Sequence, residues 1–309
     1  MIEFTQLDRR RLGCVVVLLV TTAVALGRSA PTAAAASEAV TTVDVRFVDT
    51  SRSTPRTPTA PGVDRRVLDT TIWFPAEGSG PLPLIVLAHG LNGHPHMLDE
   101  LSEAWARAGY VVAAPRFPRA NTDANGKAVL ADAAEYPADV SFVITELLAI
   151  GDAGSPAELR GRIDPQHLGV AGISLGGMAV YGLISNTCCR DGRIDAAILM
   201  SAVRPAFPKG VYVRQDVPVM LVHGDADTGY RYSRQAYPEL APPKWFVTLK
   251  GGRHGPPFED EPDDFDGFVQ HVTTAFWDRY LREQNPAANR IVELVQRSDG
   301  KASVRRDVG

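Results

Sequence analysis

The sequence predicts an α/β architecture, with a mostly parallel central sheet of about eight strands and helices on both faces. Three observations predict it. Short apolar runs without polar alternation recur from residue 67 onward, segments of helical length separate them, and one run stops at a serine flanked by glycines. A strand that is apolar along its whole length must be covered on both faces, as in a parallel sheet sandwiched between helix layers.

In chain order, residues 43–48 (VDVRFV) alternate as a strand, and a Pro-, Thr- and Arg-rich stretch over 51–66 follows as a surface connection. Strands are then expected at 67–74 (VLDTTIWF), 82–89 (LPLIVLAH), 110–115 (YVVAAP), 167–173 (HLGVAGI), 196–202 (AAILMSA), 218–224 (PVMLVHG) and 244–250 (KWFVTLK). Helices are expected over 97–108, 131–150, 175–185, 230–237 and 263–282. The charged segment after Asn285 is expected to fray in part.

A chain of 309 residues that is 45% hydrophobic can bury a large core as one domain, here 37–309. Residues 1–36 read as an export signal: Arg9, Arg10 and Arg11 precede an apolar run from Cys14 to Leu26, and Ala34, Ala35 and Ala36 resemble a cleavage site. The arginines followed by Leu12 resemble a twin-arginine signal, although Asp8 stands where such signals carry Ser or Thr. The apolar run is shorter than the ~20 residues of a permanent membrane anchor. A secreted or cell-envelope location is therefore expected. The net charge is −4 and becomes −6 without that segment, which argues against a nucleic-acid or anionic-lipid partner. Cys188 and Cys189 are adjacent and cannot staple distant segments, leaving a vicinal disulfide or two buried thiols as alternatives.

The chemistry gathers where strands end. In an open parallel sheet the functional loops collect at the carboxyl ends of the strands. Gly172-Ile173-Ser174-Leu175-Gly176 turns a strand directly into a helix, the pattern of a nucleophile elbow, and makes Ser174 the candidate nucleophile. A serine hydroxyl needs a base within reach and an acid to orient that base. His254, after the last of these strands, is the candidate base. Asp227, after the strand at 218–224, is the candidate acid, chosen over Asp225, which lies close enough to the strand end to cap a turn. The amides of Leu175 and Leu91 are candidate oxyanion donors, with Gly90 and Gly93 permitting close backbone approach.

Other polar clusters read differently. His94, His96 and Asp99 lack a third histidine at ligand spacing, so no metal is expected there. Asp225 to Gly229 does not match a calcium loop. His89 and His223, each before a glycine at a strand end, read as packed, hydrogen-bonded side chains. The connection from Met200 to Pro218 is too short for a large lid, which points to an open site. Leu91, Phe117, Phe207, Tyr230 and Phe258 are candidate apolar lining.

The succession of HGLNG (89–93), GISLGG (172–177), HGDAD (223–227) and GGRHG (251–255) resembles the α/β-hydrolase superfamily over residues 43–281. Within it the chain is similar to exported proteins related to dienelactone hydrolases, platelet-activating-factor acetylhydrolases and bacterial polyester hydrolases. That narrowing rests on Asp49-Thr50-Ser51-Arg52, YPADVSFVITEL from Tyr136 and CCRDGRIDAAIL from Cys188. Dienelactone hydrolases proper carry cysteine where this chain has Ser174, and polyester hydrolases commonly carry Met where it has Leu175. The resemblance implies serine-dependent ester hydrolysis with no cofactor and no metal; it transfers no substrate, and the expected substrates are small-molecule or polymeric carboxylic esters with short to medium acyl groups. Lipase, thioesterase or peptidase activity, or a non-catalytic binding role, are the alternatives on the same fold.

Overall fold

The seven-residue run Leu82–Ala88 shows how the sheet is built. Its side chains alternate between two cores, Leu84, Val86 and Ala88 on one face and Ile85 and Leu87 on the other, because successive residues of a strand point to opposite sides. The computed structural model describes residues 39–309 apart from 59, 123–127, 151–155, 205, 206, 208 and 209. The export segment expected over 1–36 lies outside the described residues. No helix among them is long and apolar enough to cross a membrane.

The strands are β1 (Val40–Asp49), β2 (Arg66–Pro75), β3 (Leu82–Ala88), β4 (Val111–Pro115), β5 (Ile163–Ile173), β6 (Ala196–Met200), β7 (Val219–Gly224), β8 (Lys244–Leu249) and β9 (Ala302–Asp307). They form one sheet in the order β1-β2-β4-β3-β5-β6-β7-β8-β9. From β4 to β8 every pairing is parallel, while β1–β2, β2–β4 and β8–β9 are antiparallel. Among the described residues the six α-helices are α1 (Asp99–Arg107), α2 (Tyr136–Ala149), α3 (Leu175–Ser185), α4 (Tyr230–Ala236), α5 (Asp266–Tyr280) and α6 (Ala287–Gln296). α2, α3 and α4 pack on one face, α1, α5 and α6 on the other. The mostly parallel, two-sided α/β sheet matches the expectation, with nine strands in place of about eight.

The ninth strand corrects the reading of the C-terminal segment. Residues after Asn285 are ordered: α6 buries Ile291 completely, and β9 pairs with β8 in register from Ala302↔Leu249 to Asp307↔Lys244. The charges that suggested fraying are used in packing. The Arg305 guanidinium lies 4.8 Å from the Tyr237 ring centroid and 4.9 Å from that of Phe246, and Arg306 lies 5.5 Å from that of Trp245. Arginine stems and planar heads can cover aromatic faces while remaining hydrated, which suits a charged edge strand.

Two helix boundaries also shift. The helix expected over 131–150 is a 3-10 turn, Leu130–Glu135, followed by α2, with Pro137 in its first turn. The one expected over 97–108 starts as a 3-10 turn, Pro95–Leu98, before α1. Proline has no N–H to donate and is tolerated only at a helix start, so each proline resets the helix there.

Candidate active site

β5 runs into α3 through Ser174 alone, whose backbone has φ 54° and ψ −112°. A non-glycine residue with positive φ costs on the order of 1 to 3 kcal/mol and persists only where its surroundings enforce it. Here packing enforces it. A Cβ on Gly172 would lie 2.3 Å from the carbonyl carbon of Gly176, and one on Gly176 would lie 2.0 Å from the carbonyl oxygen of Ala88. No side chain fits at either position, so the glycines two before and two after the serine are a steric requirement. The Ser174 amide donates to the Met200 carbonyl at 2.9 Å, fixing the elbow to the end of β6.

The loop after β3 lies against the elbow. A Cβ on Gly90 would stand 3.3 Å from Ser174 Cβ. His89 is buried, and its Nε2 accepts the Phe117 amide at 3.2 Å, so Nδ1 carries the proton and donates to the Gly90 carbonyl at 2.7 Å. Burial pulls the His89 pKa down to about 4, which keeps the ring neutral. Because a peptide's C=O and N–H point in opposite directions, holding the Gly90 carbonyl turns the Leu91 amide away from His89. Neither that amide nor the Leu175 amide, at the unpaired N-terminal turn of α3, donates to another group among the described residues.

Parallel register brings the loops carrying Asp227 and His254 to the sheet edge that holds Ser174: Ile173 lies beside Met200, Met200 beside Val222, and Gly224 beside Leu249. Asp225 is occupied at the turn, where its Oδ1 accepts the Gly251 amide at 2.6 Å. Asp227 instead faces two imidazoles. Its Oδ2 accepts from His254 Nδ1 at 2.5 Å and from His223 Nε2 at 2.7 Å, while Oδ1 accepts the Gly229 amide at 2.8 Å. Burial opposes the ionisation of Asp227, but the bonds from His254, Gly229 and His223 outweigh it and hold the carboxyl below its ordinary pKa. His223 is buried, which lowers its pKa against the pull of Asp227. His254 stays half exposed, its side chain 46% accessible. No hydrogen bond joins Ser174 Oγ to His254 in this structure; in unliganded sites such bonds are often long.

Beside Leu175 lies a cavity of about 430 Å³, lined by Leu130, Leu175, Met178, Val203, Arg204, Phe207 and Tyr232, among others. Phe207 is the one lining expectation found in its wall. Phe117 is fully buried and stacks on Tyr136 at 3.5 Å. Phe258 is buried in the core under α1 and α5. Tyr230 bonds Thr248 through its hydroxyl and packs on His223 and Phe246. None of these three lines this cavity; each ring packs onto the core instead. Leu91 is exposed at the rim of the sheet. The wall residues Leu130, Met178, Val203, Arg204 and Tyr232 were missed. Met178, one helical turn after Ser174, could have been found from helix periodicity.

The ligand-type atoms of His223, Asp227 and His254 lie within 4.8 Å of one another. Their short contacts are hydrogen bonds centred on one carboxylate oxygen. His94, His96 and Asp99 form no comparable group among the described residues. Cys188 and Cys189 are joined as a vicinal disulfide.

No protein-family model matches the sequence, and no curated protein matches it. Among solved structures the chain is similar to a ferulic acid esterase from Streptomyces cinnamoneus, with a TM-score of 0.62 and 22% identity over 82% of this chain and 93% of that one. At that identity the likeness speaks for the fold, an α/β fold shared with an esterase.

Proposed function

We propose that this chain is a serine carboxylesterase that cleaves esters through an acyl-enzyme on Ser174. The observation that carries the proposal is the 2.5 Å bond from His254 Nδ1 to Asp227 Oδ2, formed at the sheet edge where the strained elbow presents Ser174. An ionised carboxylate only accepts hydrogen bonds, so His254 carries its proton on Nδ1 and keeps Nε2 free as a base. Ser174 Oγ adds to the ester carbonyl as His254 Nε2 takes its proton, and Asp227 stabilises the imidazolium. The Leu91 and Leu175 amides receive the oxyanion. Collapse expels the alcohol, protonated by His254, and water then releases the acid through the same base.

The cavity of about 430 Å³ beside Leu175 suits a short to medium acyl group, including a single aromatic acid of the kind named for the similar esterase, or one ester unit of a polymer. Its apolar wall supports an apolar acyl side. The Cys188–Cys189 bond supports an oxidising compartment, in keeping with the export signal read over 1–36. A fluorophosphonate probe should label Ser174 in the wild type and not in Ser174→Ala, and the variant should lose hydrolysis of p-nitrophenyl esters. A labelled wild type that prefers palmitoyl over acetyl and butyryl esters would favour the lipase alternative. Absence of both labelling and turnover would favour the binding-protein reading.

A further inference from the structure

Asp227 Oδ2 receives two imidazole donors, and only His254 has a role in the esterase reading, on which this inference rests. His223, the second donor, is the penultimate residue of β7 and has no solvent exposure. Its Nδ1 meets Ser233 Oγ, from the buried face of α4, at 2.7 Å, while Nε2 meets Asp227 Oδ2 at 2.7 Å. The two bonds together determine the tautomer. An ionised Asp227 can only accept, so Nε2 carries the proton, Nδ1 is a lone pair, and the Ser233 hydroxyl must donate to it. Ser233 is thus a lock: the other tautomer would turn an imidazole lone pair onto the carboxylate.

We propose that His223, with its tautomer held by Ser233, is a positioning residue that keeps Asp227 in the rotamer facing His254 and keeps its carboxylate ionised. The chain of contacts runs Ser233, His223, Asp227, His254, from the buried end to the exposed one. Its inner members are rigid because they sit on β7 and α4, whereas Asp227 and His254 stand on loops. A third bond, from the Gly229 amide to Oδ1, leaves Asp227 little rotational freedom. The charged and titratable groups facing this chain are Asp227 and His254 themselves, Tyr230 against the His223 ring at 5.7 Å, and Glu259, which interacts electrostatically with His254. Burial favours a neutral His223, as the proposal requires.

The functional consequence is a rate profile tuned toward acid. A second donor disperses charge on Oδ2, so the carboxylate resists protonation and holds the His254 imidazolium less tightly. Removing it should move the acid limb of kcat/KM to higher pH.

The test compares His223→Phe, His223→Gln and Ser233→Ala with the wild type in pH profiles of kcat and KM on a short p-nitrophenyl ester. His223→Phe should lower kcat roughly 10- to 100-fold with KM nearly unchanged, the scale of a misplaced catalytic group. Its acid limb should move up by about half a unit to one unit. His223→Gln, whose amide nitrogen can still donate to Asp227, should recover most of both effects. Ser233→Ala should shift the limb in the same direction by less, and it keeps the test decisive should His223→Phe fail to fold. Acid limbs and kcat within twofold of wild type in Ser233→Ala and the folded His223 variants would overturn the proposal while leaving the esterase reading intact. A wild type that neither hydrolyses esters nor labels at Ser174 would overturn the esterase reading, and this inference with it.

Discussion

Asp225 and Asp227 stand two residues apart in one loop and serve different partners: the Asp225 carboxylate accepts the Gly251 amide at 2.6 Å, and that of Asp227 accepts His254 at 2.5 Å. Only the second touches a histidine. Asp227→Asn should lower kcat by about 10⁴-fold on a p-nitrophenyl ester, the scale seen when a triad acid becomes an amide and its histidine adopts the wrong tautomer. Asp225→Asn should stay within a few-fold of wild type. Near-normal turnover in Asp227→Asn would remove it from the mechanism.

His89 holds the Gly90 carbonyl of the loop after β3 and also makes stability depend on pH. Its folded pKa, about 4, lies below its ordinary 6.5, so the native state binds fewer protons than the unfolded one between these values. The contribution of this group is therefore complete above about pH 6.5 and is lost as pH falls toward 4, roughly 3 kcal/mol in all. Urea denaturation of wild type and His89→Gln from pH 7 to 4 should give a steeper loss in the wild type. Parallel curves would contradict this account. The same variant should lose activity with little change in KM, since the Gln amide occupies the place of Nε2 rather than of Nδ1, the atom that donates to the Gly90 carbonyl.

Arg66 is buried between two carboxylates, donating to Asp139 at 2.7 and 2.6 Å and to Asp132 at 3.0 and 3.2 Å. Asp132 belongs to the 3-10 turn Leu130–Glu135, whose Leu130, Ala131, Ala133 and Ala134 line the cavity. Arg66→Met would leave the buried Asp132 without its cation and Asp139 with Arg52 alone, at 2.8 Å, and should cost about 3 to 5 kcal/mol. Chemical denaturation measures that loss, and a raised KM in the folded fraction would show the cavity wall shifting with it.

Met178 faces the cavity one turn after Ser174. Met178→Trp should fill part of the roughly 430 Å³ and lower kcat/KM for hexanoyl and longer p-nitrophenyl esters at least tenfold relative to acetyl. An unchanged chain-length profile would place the acyl group elsewhere.

Much of the fold was legible because its signals are local. Apolar runs such as Leu82–Ala88 and Val219–Gly224 reveal a two-sided sheet from neighbouring residues alone. The elbow glycines are equally local, since their necessity arises within five residues and the strand beside them. The end of the chain was misread because β9 hides its packing in arginines, whose contacts with Tyr237, Phe246 and Trp245 come from distant elements. Phe117, in the loop after β4, was misread for the same reason, as its stacking partner Tyr136 begins α2.

By itself the sequence determined the α/β class, the elbow at Ser174 and the order of serine, acid and histidine along the chain, because strand period and tight-turn sterics are properties of neighbours. Tertiary structure alone decided which aspartate meets His254, that His223 shares its carboxylate oxygen, and which side chains wall the cavity. Those choices depend on inter-strand register and loop direction, which bring Asp227 within a hydrogen bond of His254, 27 residues away, and turn its carboxylate toward His223 as well.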